Sequence, residues 1–265
     1  MPRVCTIGSC FERLDRPGEF GGVAAAFAAS LAAAGWEVET ATRIGDDPAG
    51  EAARAWWRSA GIGDTSVQCD PDLATGRWTP RRRGSDGAWL EAPAAFDHLQ
   101  WDADLGTAAS RAEVVVTDLI GRRNAQARST IDRALLEARA ALRVLDLTSA
   151  GTAGIPTTDS APLRSGLEHA DLAIVDEAGL RWCGVSRDRD LDTFRRGGAS
   201  MVLVWGSGMP IRLASTEGEV VGSVPIPESA TPADALMAFL AGTAPGDAAP
   251  ASIVARLERS WSAAR

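Results

Sequence analysis

Apolar positions along this chain fall into short runs of β-branched and aliphatic residues, separated by longer stretches with helical spacing. Residues 3–8 carry Val-Cys-Thr-Ile and predict a first strand. Residues 21–34 are dominated by alanine and predict a helix whose small side chains permit close packing on a sheet. A strand over 36–44, a helix over 48–60 and a short strand over 65–68 continue the alternation. Beyond them, 113–118 reads as a buried strand, 124–141 as an amphipathic helix and 143–147 as a strand again. The apolar runs 170–175 and 201–205 are each entered from a helical segment, the mark of parallel strands joined by crossover helices.

The pattern changes at two places. Residues 76–91 alternate polar and bulky side chains around Arg83-Gly-Ser-Asp-Gly87, with Trp78 and Trp89 on either side, and predict a β-hairpin. Residues 211–214 and 219–224 read as antiparallel additions at the sheet edge, followed by helices over 232–240 and 251–262. The stretch 243–250 is a loop, because too little chain follows it to form a second core. The expectation is one α/β domain over 1–265, a mostly parallel central sheet flanked by helices.

Composition narrows the function classes. With 45% hydrophobic and 23% charged residues in 27.7 kDa, the chain has ordinary globular usage and enough length for a well-buried core. No apolar run reaches bilayer length, and the first residues lack the layout of a secretory signal, so a cytoplasmic location and no membrane partner are expected. A net charge of -8 and a pI near 4.9 argue against a nucleic-acid partner. Lysine is absent and all 27 basic residues are arginine, which excludes a Walker A loop and Schiff-base chemistry. The cluster Arg81-Arg82-Arg83 reads either as a solvated hairpin edge or as a clamp for an anion. Cys5, Cys10, Cys69 and Cys183 are scattered, and with only His98 and His169 beside them they argue against a zinc site or a histidine triad. They read as small buried residues of a reducing compartment, with Cys10, beside a glycine turn, the one that could face a ligand. Trp78, Trp89 and Trp205 serve either core packing or stacking on a ring.

Open parallel sheets bind ligands at the carboxyl ends of their strands, which directs attention to the turns after Ile7, Ile44, Leu145, Val175 and Trp205. The segment from Gly18 to Gly35, with Gly21-Gly22 opening an alanine-rich helix, and the turn Gly45-Asp46-Asp47-Pro48-Ala49-Gly50 together resemble the first signature of the ribokinase or PfkB family of sugar and nucleoside kinases. The stretch Thr231-Pro232-Ala233-Asp234, leading into a small-residue helix that ends at Gly242, is similar to that family's second signature. The resemblance implies a ribokinase-like fold with a reduced β lid, centred on the 76–91 hairpin. It implies ATP and Mg2+ as cofactors and a small sugar or nucleoside as substrate, in a monomer or homodimer.

Residue by residue, the resemblance puts Asp234 at the catalytic base and Thr231, Pro232 and Ala233 at the positions of an anion hole. Gly21 and Gly22 match the sugar-binding glycine pair, Asp15 stands near the position of a sugar-binding aspartate held here by Arg13, and Asp176 takes a metal-organising position. Gly206, Ser207 and Gly208 match the nucleotide loop. The departures are specific: Ala26 replaces an asparagine, Gly179 a glutamate, and Pro232 removes an N–H. Thr231 as N-cap, Pro232 at the first helical position and Asp234 at the third also make an ordinary helix start. Two functional readings follow, an ATP-dependent phosphotransferase with Asp234 as base and a non-catalytic pseudokinase or metabolite-binding protein on the same fold. Reuse of the scaffold for another reaction is a third.

Overall fold

The computed structural model of the chain describes residues 3–79, 89–148, 160–185, 191–206, 210–215, 218–225 and 231–242. Strand β1 (Arg3–Ile7) leads into two short strands, β2 (Phe11–Arg13) and β3 (Phe20–Gly21). A π-helical turn over Val23–Phe27 runs into α1 (Ala28–Ala33), followed by β4 (Glu37–Gly45), α2 (Pro48–Ser59) and β5 (Gly63–Asp70). Next come β6 (Gly76–Thr79), β7 (Trp89–Leu90), a 3₁₀ turn over Ala95–His98, α3 (Ala103–Arg111), β8 (Val114–Asp118), α4 (Ala125–Glu137) and β9 (Leu142–Asp146). The rest comprises α5 (Ala161–His169), β10 (Leu172–Val175), α6 (Glu177–Trp182), α7 (Asp192–Arg196), β11 (Met201–Val204), β12 (Pro210–Ser215), β13 (Gly218–Pro225) and α8 (Pro232–Gly242).

The main sheet has nine strands in the order β13-β12-β11-β10-β9-β8-β1-β4-β5. Every pair from β11 across to β5 is parallel, while β12 and β13 add on antiparallel at one edge. The chain starts in the middle of this sheet and builds outward in both directions, so β1 and β8 flank the point where strand order reverses. In such sheets that point opens a crevice at the carboxyl ends of the strands.

Period-two alternation distributes the strand side chains to two buried faces. Val4, Val114, Val116, Val144, Ile174 and Leu203 pack on the side that also holds Leu31, Trp57, Leu236 and Phe239 of α1, α2 and α8. Their neighbours Val115, Leu145, Val175 and Val202 pack on the opposite side, against Ile131 and Leu135 of α4, Leu167 of α5 and Phe194 of α7. Among the described residues no helix is long and apolar enough to cross a membrane.

The Gly45-Asp46-Asp47 turn does structural work. Asp47 caps α2 by accepting the Gly50 N–H at 2.8 Å, and it also accepts the Thr75 N–H and hydroxyl, each at 2.8 Å. A Cβ at Gly50 would lie 2.2 Å from the Gly45 carbonyl oxygen, so that position requires glycine.

The structure departs from the expected elements in four places. The helix expected to run unbroken over 21–34 opens with the π-helical turn. The Ala24 carbonyl accepts from the Thr40 hydroxyl at 2.9 Å and the Trp57 indole at 2.7 Å. Helix α4 stops at Glu137, with Ala138 as C-cap, despite the alanine-rich sequence that follows. Helix α3 was not marked by the sequence pattern. The 8–21 interval supplies β2 and β3 to a second sheet of order β3-β2-β6-β7, so the small lid extends beyond the 76–91 hairpin. The hairpin's turn with Arg81-Arg82-Arg83, the expected helix over 251–262 and the 243–250 loop lie outside the described residues.

Candidate active site

Strand β1 is followed by Gly8, whose φ of +148° and whose contacts exclude a side chain: a Cβ there would lie 2.5 Å from Oδ1 of Asp118. Asp118, the last residue of β8, is fully buried and gathers the neighbouring turns. It accepts the Ser9 hydroxyl at Oδ2, and its Oδ1 accepts the N–H groups of Ser9 at 3.3 Å and Gly121 at 2.9 Å. Burial raises its pKa, and these hydrogen bonds oppose the shift. The knot holds the loop after β1 against the glycine pair. Gly22 has φ +92°, and a Cβ on it would sit 2.3 Å from the Ser9 carbonyl oxygen. Gly21 is different: its missing side chain makes room for the Phe11 ring within the lid sheet.

Beside this knot lies a cleft of about 230 Å3, lined on one side by Gly22, Ala26 and Ser30, on another by Asp146 and Thr148, and on a third by Thr231, Pro232 and Ala233. Asp146 ends β9, directly in register with Asp118 on β8. Its Oδ1 accepts both the N–H of Thr148 at 2.9 Å and the Thr148 hydroxyl at 2.8 Å. Burial pushes its pKa up to about 7; the Thr148 hydrogen bonds oppose this, while the nearby carboxyls of Asp118 and Asp176 add to it.

The start of α8 forms a reciprocal box. The Asp234 carboxylate accepts the Thr231 N–H at 2.6 Å and the Thr231 hydroxyl at 2.8 Å, while the Asp234 N–H donates back to that hydroxyl at 3.2 Å. Two of the donors at this helix start are thus used internally, and Pro232 has none. Asp176 caps α6, accepting the Gly179 N–H at 2.6 Å, and burial raises its pKa. Gly179 has a packing reason: a Cβ there would approach the Leu147 carbonyl oxygen to 2.5 Å.

Of the residues singled out in sequence, the cleft brings together Gly22, Thr231 and Ala233. Asp234 stands next to it in the capping box. Asp15 lies in the turn after β2, where Arg13 holds it through bonds of 3.2 and 2.9 Å, and the Arg13 guanidinium lies 5.0 Å from the Trp78 ring centre. That hydrogen bonding keeps the Asp15 carboxyl below its ordinary pKa. Gly206 follows Trp205, whose N–H donates to the Val175 carbonyl at 2.8 Å. Ser207 and Gly208 lie outside the described residues. Cys10 is buried in the core, where desolvation raises its thiol pKa, and Cys5 is buried too, but Cys69 is exposed and Cys183 only partly buried, against the expectation of four buried cysteines. Ser9, Asp118, Asp146 and Thr148 were not singled out. Their signal was an acid closing an apolar strand at the end where parallel sheets bind ligands.

Among the described residues no three His, Cys, Asp or Glu side chains converge closely enough to hold a metal ion. Asp176 follows the last residue of β10 as the N-cap of α6.

The sequence matches no family model and no curated protein. Its structure is similar to solved sugar kinases. A fructokinase from Vibrio cholerae O395, in a fructose, ADP and calcium ion bound form, superposes with a TM-score of 0.74 at 16% identity, over 97% of this chain and 90% of that one. A PfkB protein from Polaromonas sp. JS666 gives 0.71 at 19% identity, over 97% and 93%. A putative ribokinase II from E. coli in complex with ATP and Mg2+ gives 0.69 at 16%, over 96% and 89%. With its parallel sheet, flanking helices and small second sheet, the chain has the ribokinase-like fold of the PfkB sugar kinases.

Proposed function

We propose that the protein transfers a phosphoryl group from ATP, in the presence of magnesium, to a hydroxyl of a small sugar or nucleoside substrate. The observation that carries this reading is the convergence of Gly22, Asp146 and the start of α8 around one cleft at the carboxyl ends of the strands. The ATP-bound and fructose-bound neighbours support it at the level of fold. When bound, the magnesium nucleotide supplies the phosphoryl group; Gly206 and the Ala233 N–H would hold its phosphates, and Asp176 the water shell of its metal. The positive end of α8 favours negative charge at its first turn.

Asp234 accepts the proton of the attacking hydroxyl. Among the described residues its bonds to Thr231 all use Oδ2, leaving Oδ1 for a substrate. A general base of this kind contributes about 10²- to 10⁴-fold. Asp234→Asn should therefore lower ADP release by that factor while the thermal midpoint still rises on adding ATP with magnesium. Equal turnover by the variant overturns the assignment.

One observation favours a second reading, a non-catalytic metabolite-binding protein. The Thr231–Asp234 box and Pro232 leave α8 with fewer free donors than an anion hole uses. That reading predicts midpoint shifts with ligands and no ADP release by the wild-type protein.

A further inference from the structure

The cleft has a distinctive electrostatic character. Among the described residues Asp146 is the one charged residue along its lining, and the hydroxyls of Ser30, Thr148 and Thr231 supply the other polar side chains. The charges acting on Asp146 from neighbouring strands are Asp118, its partner in register, and Asp176, beyond the end of β10. Both are acidic. The guanidinium nearest in sequence to the β8 end, Arg122, is fully buried between α4 and α5; its Nη2 bonds Asp132 and Ser165, and its charge acts on Asp118. Arg181 pairs with Glu177 and acts on Asp176. Neither lies in the cleft lining, and a lining with one carboxylate and, among the described residues, no cation attracts positive charge.

The hydrogen bonding of Asp146 points the same way. Both Thr148 donors go to Oδ1, and among the described residues Oδ2 receives none. Oδ2 is not among the buried polar atoms that lack a partner, so it is open to the cleft, where a ligand can donate a charge-assisted bond to it. Ala26 meanwhile offers no polar group from the opposite wall.

We propose that the substrate carries an ammonium group among its hydroxyls, in the manner of an amino sugar or aminocyclitol, and that Asp146 binds that ammonium. This rests on the cleft being the substrate site of the phosphotransferase reading. Magnesium brings several waters and is held by one or two carboxylates together with phosphate oxygens, so without nucleotide Asp146 alone is a weak site for it, and titration with magnesium chloride separates the two occupants. An ammonium needs one carboxylate and nearby hydroxyls, which Asp146, Thr148 and Ser30 provide. The volume of about 230 Å3 lies below the range of about 300–1,000 Å3 common for drug-sized ligands and suits a single ring. An opposite charge on the ligand also favours the ionised form of Asp146, which its surroundings otherwise disfavour.

Isothermal titration calorimetry on the full chain, without nucleotide, tests this with glucosamine, N-acetylglucosamine, glucose and magnesium chloride as probes. Glucosamine should bind at least about tenfold more tightly than glucose or N-acetylglucosamine, the value of one charge-assisted hydrogen bond. Asp146→Asn should remove that preference, and Glu113→Gln, at an exposed ion pair with Arg3 away from the cleft, should retain it. Equal binding of the three sugars by the wild-type protein overturns the inference without any variant, as does a response to magnesium chloride alone with none to glucosamine. Phosphoryl transfer to glucose with no preference for the amine would sink this inference and leave the phosphotransferase reading intact. Glucosamine binding without transfer would support it and sink the catalytic reading.

Discussion

Asp146 closes an apolar strand inside the molecule, and its ionisation contributes to how stability changes with pH. Its pKa rises from an ordinary 3.8 to about 7, first through burial and then through Asp118 and Asp176, against the Thr148 hydrogen bonds. Below about pH 4 the folded and unfolded chains both hold the proton, and the group contributes nothing. Between about pH 4 and 7 the folded state keeps a proton that the unfolded state has released, so its contribution to stability falls as pH rises. Above pH 7 the loss is complete. Asp146→Asn removes this dependence, so urea denaturation should show the variant gaining on the wild type between pH 4 and pH 8, by at most about 4 kcal/mol. A difference that stays constant across that range would contradict the burial described for this carboxyl. At this scale the sequence was only half legible. Asp118 and Asp146 read as ordinary strand ends, because what makes them functional candidates is the register that sets β8 beside β9. Nothing local in Val-Val-Val-Thr-Asp118 announces its partner.

Among the elements, α2 shows how a motif with a family resemblance can serve architecture. Asp47 satisfies the first turn of α2 and clasps the Thr75 N–H and hydroxyl, and Thr75 in turn accepts the Gly45 N–H at 2.9 Å. Asp47→Ala loses a cap and leaves the Thr75 donors without their acceptor, a cost of about 2–3 kcal/mol in chemical denaturation. A loss below 0.5 kcal/mol, typical of plain surface substitutions, would mean that water replaces the clasp. The long strands and helices were readable because each repeats its period several times. β2 and β3, with three and two residues, have no period to read. Their pairing is supplied from outside, by Phe11 against Gly21 and by Arg13 against Trp78. The π-helical turn was hidden for a related reason: alanine favours an unbroken helix, and the acceptor role of the Ala24 carbonyl depends on Thr40 and Trp57 from other elements.

Across the whole molecule, the sheet order places β1 and β8 at the reversal point and brings Gly8, Gly22, Asp118 and Asp146 to one end of the fold. Helix α8 closes the cleft from the carboxyl-terminal half of the chain, so the site is assembled from segments far apart in sequence. The ordered landmarks from Gly21-Gly22 to Asp234 made this architecture legible, because spacing survives when individual side chains change. Ala26, Gly179 and Pro232 stand where the resemblance implies other residues. Gly179 is required where α6 approaches Leu147, and Asp146 supplies polarity that Ala26 does not. The central claim is that this altered cleft transfers phosphate. Its most direct test is ADP release by the purified chain with ATP and magnesium, across a panel of neutral sugars, amino sugars and nucleosides. The account predicts substrate-dependent turnover with the amino sugars foremost. No ADP release above the rate without substrate, for any member of the panel, would contradict it.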